Sequence, residues 1–172
     1  MYFCLKPLRL FVVYNFIIRL TNLLLPAIGL VNKKIKKGVS GRRNTFKFLK
    51  KNVQENDQVF WFHCASLGEY EQGLPVFKKL KELYPKAKIV LSFFSPSGYE
   101  IRRKNPITPI VIYLPLDTQK NVESFIKITN PKIVVFVKYE FWPNYLRALK
   151  THSAQVFLIS ALFKPDQYLF KS

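Results

Sequence analysis

The chain has 172 residues, a formal net charge of +18 and 49% apolar residues. That length admits one ordinary domain with an extension, and the apolar content excludes general disorder. The charge favours anionic partners such as nucleic acid, acidic lipid head groups or phosphorylated substrates; Cys4 and Cys64, far apart in different settings, indicate neither a disulfide framework nor a metal site and fit a reducing, cytosolic environment.

Residues Leu8 to Val31 form a mostly apolar run of about the length that crosses a hydrocarbon core of roughly 30 Å. Asn15, Arg19, Asn22, Pro26, Gly29 and Lys33 recur every three or four positions and so share one stripe of a helix. The rest of the circumference is Leu, Ile, Val, Phe and Tyr. A soluble helix buries a stripe and exposes the remainder; here the proportions are reversed. The expectation is a helix dipped in lipid, its polar seam against the interface or the protein. Lys33, Lys34, Lys36, Lys37, Arg42 and Arg43 follow, a cluster suited to holding the downstream chain on the cytoplasmic side and to binding acidic lipid. A cleaved secretory signal competes, but the cationic block resists translocation and no small-x-small cleavage pattern precedes it. A core helix of a soluble protein is the other alternative. Residues 1–37 are thus expected to be a membrane-anchoring helix with its basic flank, 38–57 a linker and 58–172 a Rossmann-like domain.

From Gln58 onward short apolar runs recur: Val59–Phe62, Ile89–Leu91, Ile110–Tyr113, Ile133–Val137 and Val156–Ile159. Near-continuous hydrophobicity reads as strands buried on both faces. Helical patterns separate them, over Leu74–Leu83, Val122–Ile128 and Trp142–Leu149, the last with Pro143 tolerated in its first turn. Strands alternating with helices predict a parallel, doubly wound sheet whose ligands bind at the carboxyl ends of the strands. The loops at Ala65–Glu69, Ser95–Gly98, Pro115–Asp117 and Lys138–Glu140 are expected on that one edge. No G-x-G-x-x-G follows the first strand, and there is no Walker lysine motif, H-E-x-x-H or paired C-x-x-C. With only His63 and His152, metal and Ser-His-Asp chemistry have poor support, and neither metal nor cofactor is expected. His63, inside a strand, reads as a packed, hydrogen-bonded residue, and Cys64 as a small buried side chain.

The stretch WFHCASLGEYEQGLP, residues 61–75, resembles the strand-loop-helix opening of the lipopolysaccharide Kdo transferases, which add 3-deoxy-D-manno-octulosonic acid (Kdo) to lipid A precursors. SFFSPSGYE (92–100), VIYLPLD (111–117), VKYEFWPNYL (137–146) and VFLISALF (156–163) fit in the same order. The resemblance implies the amino-terminal, acceptor-binding domain of a GT-B glycosyltransferase at the cytoplasmic face of the inner membrane. The carboxyl-terminal domain, which binds the CMP-Kdo donor in such enzymes, is expected to be absent from this chain. Phe163, Lys164 and Pro165 stand where many members carry an arginine and a glutamate, and Lys138 where an acidic residue is frequent.

In the family reading Glu69 is the general base of an inverting transfer, because a sugar hydroxyl is a poor nucleophile until a positioned carboxylate takes its proton. Gly68 before it is expected to let the backbone turn sharply and the acceptor approach closely. The alternative is a first-turn helix acid favoured by the dipole. Glu140 is the second carboxylate, shaping the acceptor site or capping the helix that Pro143 begins. Ser66, Ser95, Ser97 and Gly98 suit a phosphate or sugar oxygen, or are simple turns with N-caps. Glu71 is expected to face solvent, and Arg102, Arg103 and Lys104 could meet acidic head groups or form a solvated face. A non-catalytic, membrane-tethered acceptor-binding fragment and a basic nucleic-acid-binding domain are the competing functions. The latter is disfavoured because much of the charge adjoins the lipid-dipping helix and no recognition module is evident, so no nucleic-acid partner is expected.

Overall fold

Five short runs of Val, Ile, Phe and Tyr form one parallel sheet. A computed structural model of the protein describes residues 5–163; Cys4, Lys164 and Pro165 lie outside the described residues. The chain opens with three helices, α1 (Leu5–Val31), α2 (Lys33–Arg43) and α3 (Thr45–Asn52). The strands β1 (Val59–Cys64), β2 (Lys88–Phe93), β3 (Ile110–Tyr113), β4 (Ile133–Val137) and β5 (Gln155–Ile159) then alternate with the helices α4 (Leu67–Leu83), α5 (Pro96–Arg102), α6 (Gln119–Thr129) and α7 (Pro143–Thr151). The strand order is β3-β2-β1-β4-β5, all parallel. The chain builds outward from β1 to β3 and then crosses to the far side of β1, so the order reverses between β1 and β4. That reversal opens a crevice at the carboxyl edge.

Strand alternation sorts the core into two layers. Val59, Trp61, Val90, Ile112, Val134 and Phe136 face α3, α6 and α7, where Leu49, Phe125 and Tyr145 complete the layer. Phe60, Phe62, Leu91, Phe93, Val135 and Val137 face α4 and α5, against Tyr70 and Phe77. With both faces covered, β1 to β4 carry no polar alternation, which is why they read as continuous apolar runs; β5, expected to be buried on both faces, is instead an edge strand that leaves Val156 and Phe157 exposed.

Residues 38–57, expected as a linker, are mostly helical and belong to the domain. Leu49 is fully buried, Thr45 Oγ1 donates to Tyr113 O at 3.1 Å, and the Arg42 guanidinium donates to Leu114 O and Phe94 O, both at 2.8 Å. Phe46, Leu49 and Val53 supply an apolar stripe at helical spacing, which the dense lysines and arginines of this stretch obscure. Removal from water lowers the Arg42 pKa to about 10, and its charge is held by carbonyl oxygens and by the Phe94 and Tyr113 rings.

The polar seam of α1 meets the protein at Asn15, Arg19 and Gly29, whereas Asn22, Pro26 and Lys33 are exposed. Asn15 is buried and accepts from Asn144 Nδ2 at 2.9 Å, and Arg19 donates to Gln119 Oε1 at 2.9 Å. The opposite face leaves Leu10, Phe16, Leu23, Leu30 and Val31 between 68% and 88% exposed. Asn32 ends this helix in extended conformation and caps the next, its side chain accepting from the amides of Lys34 and Ile35.

Replacing Leu49 by Ala removes a fully buried side chain, so it is expected to cost about 2–5 kcal/mol of unfolding free energy in denaturant melts, whereas a side chain in a linker would cost nothing measurable.

Candidate active site

The carboxyl ends of β1, β2 and β4 meet at the reversal of strand order. Backbone pairing continues past the strands: Ser95 N donates to Ala65 O at 2.8 Å and Phe94 N to Cys64 O at 3.3 Å. The Ala65–Glu69 and Ser95–Gly98 loops therefore lie side by side. His63 is paired with Phe136 across the β1–β4 register, which brings the chain beyond Val137 beside the same loops.

Glu69 occupies the third position of α4, with Ser66 as N-cap in extended conformation. Its Oε2 accepts a short hydrogen bond from Ala65 N, so the carboxylate folds back over its own helix terminus and satisfies a donor that would otherwise be unpaired. The first-turn role considered from sequence is thus present in the geometry. The carboxyl is nonetheless raised above the ordinary glutamate range. Burial is the largest cause and the charge of Glu140 adds to it, against the lowering effects of the Ala65 and Ser66 amides and His63. A half-buried carboxyl with a raised pKa, oriented by a backbone donor, is the combination that general-base work requires.

Gly68 sits in helical conformation in the first turn of α4, not in a sharp turn; no glycine among the described residues has positive φ. A Cβ added there would meet nothing within 4 Å. The open space beside Glu69 is the part of the Gly68 expectation that agrees with the geometry.

Glu140 reaches the crevice through an unusual backbone. Lys138 adopts φ 62°, a left-handed conformation that costs a non-glycine residue about 1–2 kcal/mol, and this folds the chain back immediately after β4. Glu140 Oε2 then accepts from Trp142 Nε1 at 2.9 Å and lies 3.2 Å from His63 Nε2. On its other side His63 Nδ1 lies 2.8 Å from Ser92 Oγ, which accepts from Trp61 Nε1 at 2.8 Å. Donors and acceptors match along this chain when Ser92 donates to Nδ1 and His63 carries its proton on Nε2, facing the carboxylate. His63 and Ser92 are fully buried. Sequence spacing pointed to the packed, hydrogen-bonded histidine; it gave no signal that Ser92 and Glu140 would be its partners, because the link crosses three strands.

Glu140 does not cap α7: the N-cap residue Trp142 makes no side-chain capping bond, and the cap comes from Asp117 on the β3–α6 loop. Ser95 is the N-cap of α5, accepting from Ser97 N at 3.4 Å with the two hydroxyl oxygens 3.1 Å apart. Ser66 and Ser95 are thus N-caps at the same carboxyl edge, with Ser97 in the first turn of α5, whereas Gly98 is buried. A Cβ on Gly98 would lie 2.2 Å from Phe93 Cδ1, so this buried glycine exists to let α5 close on β2. Glu71 points away and pairs with Arg102 at 2.5 Å on the surface. Burial holds the Cys64 thiol well above its usual range, which suits an inert packed side chain.

A parallel sheet with helices on both faces and a reversal of strand order is a doubly wound α/β domain, and the half-buried carboxylate of Glu69 stands at the switch point where such domains place their ligands. The sequence model of the family described as 3-deoxy-D-manno-octulosonic-acid transferase (kdotransferase) matches residues 40–170, and the chain belongs to that family. It is similar to a 3-deoxy-D-manno-octulosonic acid transferase of Aquifex aeolicus, 33% identical over 100 residues, 58% of this chain and 28% of that protein. A protein of the same description from Chlamydophila psittaci is 28% identical over 152 residues, 87% of this chain and 34% of that protein. A bifunctional glycosyltransferase/methyltransferase of Fusobacterium nucleatum is 26% identical over 117 residues, 66% of this chain and 18% of that protein. The chain thus matches about a third or less of the length of these relatives.

Ionising a carboxyl whose folded pKa is raised disfavours the native state, so the contribution of Glu69 to stability falls as pH rises from its unfolded value, near 4.5, through its higher folded value. Glu69→Gln removes that ionisation. The Tm of the variant relative to the native chain is expected to be higher at pH 7 than at pH 4; a difference that shrinks with rising pH would contradict the assigned direction.

Proposed function

We propose that this chain is the acceptor-side domain of a glycosyltransferase that transfers Kdo from CMP-Kdo to a lipid A precursor at the cytoplasmic face of the inner membrane, with Glu69 as general base. The observation that carries this reading is the raised, backbone-oriented carboxyl of Glu69 at the switch-point crevice beside the open surface at Gly68.

An acceptor hydroxyl seated over Gly68 gives its proton to Glu69. Its oxygen forms the new bond to the anomeric carbon of Kdo, and the bond from that carbon to the CMP phosphate oxygen breaks, its electron pair leaving with the phosphate. Attack opposite the leaving group inverts the anomeric centre. Glu140 serves as the neighbour that keeps Glu69 basic: as a second negative charge it raises the pKa of Glu69. Ser66, Ser95 and Ser97 line the same edge as hydrogen-bonding groups for sugar or phosphate oxygens of the acceptor. The donor is assigned to a second domain, as the resemblance implies.

The membrane surface is the third partner in this reading. The helix α1 contains a span, Leu10–Val31, long and apolar enough to cross a bilayer, but it is docked along its polar seam onto the domain. That arrangement favours a helix lying in the interface with its outward apolar face in lipid, and the basic residues of α2 beside acidic head groups.

With a donor-binding half present, in one chain or supplied separately, Glu69→Gln is expected to lower kcat by about 10²- to 10⁴-fold with little change in acceptor KM, as measured by Kdo transfer from CMP-Kdo. Turnover near that of the native protein would remove Glu69 from the reaction. Glu140→Gln is expected to move the acid limb of the rate profile to lower pH, since it deletes a charge that raises the Glu69 pKa. For the membrane, Phe16→Glu combined with Leu23→Glu alters only exposed side chains. Sedimentation with anionic vesicles is expected to weaken by about tenfold or more, and unchanged sedimentation would exclude this face as the lipid contact.

A further inference from the structure

Outside the candidate active site, the described residues hold one buried carboxylate that pairs with no cation. Asp117 is fully buried on the loop after β3. Its Oδ2 accepts from Tyr14 Oη at 2.7 Å and Asn144 N at 3.0 Å, and its Oδ1 from Tyr145 N at 2.9 Å. These amides belong to the first turn of α7, where Pro143 has no N–H to offer and Trp142 supplies no cap. Asn144 Nδ2 adds bonds to Asp117 O at 2.6 Å and Asn15 Oδ1 at 2.9 Å. A charged, buried hydrogen-bond acceptor with this many donors is rigid, because each bond lost leaves an unpaired polar group out of water.

The other partners show what this cap serves. Tyr14 and Asn15 come from α1, 103 and 129 residues away in sequence from Asp117 and Asn144 respectively. The start of α7 is the far end of the short segment 138–142, whose Trp142 holds Glu140 against His63.

We propose that Asp117 is a positioning residue for Glu140, and that Tyr14 and Asn15 of α1 complete the arrangement, so that docking of the lipid-facing helix and placement of the Glu140 segment form one coupled equilibrium. Asp117 fixes the height of α7's first turn; that turn fixes Trp142; Trp142 fixes Glu140. A helix undocked from the domain withdraws one of the donors to Asp117 and one of the two acceptors of Asn144 Nδ2, and the segment 138–142 loosens with it. Lipid that favours the docked helix then favours the ordered crevice. The consequence for turnover rests on the reading of Glu69 as the base; the coupling itself does not.

The test is indole proton exchange by NMR in the native chain and in Asp117→Asn and Tyr14→Phe. Trp142 Nε1 bonds to Glu140, whereas Trp61 Nε1 bonds to Ser92 in the core and serves as the internal standard. Exchange at Trp142 relative to Trp61 is expected to rise about tenfold or more in Asp117→Asn and in the same direction, by less, in Tyr14→Phe. A ratio unchanged in both variants overturns the proposal, as does an equal rise at both indoles, which reports general loosening. If Asp117→Asn does not fold, Tyr14→Phe decides alone. In the enzyme with its donor half, the same variants are expected to lower kcat by roughly 10- to 100-fold with acceptor KM held within about twofold. Altered exchange alongside undiminished turnover in Glu69→Gln would keep the coupling and discard the base assignment.

Discussion

Parallel pairing of β1 with β2 on one side and β4 on the other is the constraint on which the remaining geometry depends. It aligns Cys64 with Phe93 and His63 with Phe136, so the loops carrying Glu69, Ser95 and Glu140 leave the sheet at the same level. A one-residue slip of β1 would turn His63 toward α4 and α5 and push Phe62 into the opposite layer. The apolar run on both sides of β1 forbids that slip, since Trp61 and Phe62 are each fully buried in layers that fit only one of them.

Around this frame the protein retains polar groups where an apolar core would be simpler. The chain from Trp61 through Ser92 and His63 to Glu140 and Trp142 removes several polar groups from water and matches each with a partner. Such a network adds little net stability, but it confines the carboxylate to one orientation. The left-handed backbone at Lys138 is a local cost accepted at the same place. Glu69 stands beside this ordered wall with its own carboxyl drawn back onto Ala65 N, and burial together with the charge of Glu140 raises it above the ordinary glutamate range. A protein selected only for stability would not keep these carboxyls here.

The first helix joins an exposed apolar surface to this edge of the domain. Much of its apolar circumference is exposed, its Tyr14, Asn15 and Arg19 bond to Asp117, Asn144 and Gln119, and α2 and α3 continue from it into the sheet through Arg42, Thr45 and Leu49. The apolar helix and the carboxyl edge of the sheet are therefore parts of one folded unit, not modules joined by a flexible segment.

Much of this was legible in the chain alone. The strands, the parallel class, the edge carrying the site, the reversed amphipathicity of α1 and the packed state of His63 follow from local periodicity, because burial on one or both faces dictates residue choice at neighbouring positions. The residues 38–57 were not legible, since abundant Lys and Arg hid the stripe of Phe46, Leu49 and Val53. Nor was the task of Gly98, which depends on how close Phe93 comes. The sequence by itself determined the five strands, the helices between them and the edge at which their loops gather. Only the tertiary structure decided that Asp117, not Glu140, caps α7, that Ser92 and Trp142 hold His63 and Glu140, and that Tyr14 reaches across 103 residues to that cap. Hydrogen bonds between distant segments are set by where crossovers return the chain, and no pattern of neighbouring residues encodes that distance.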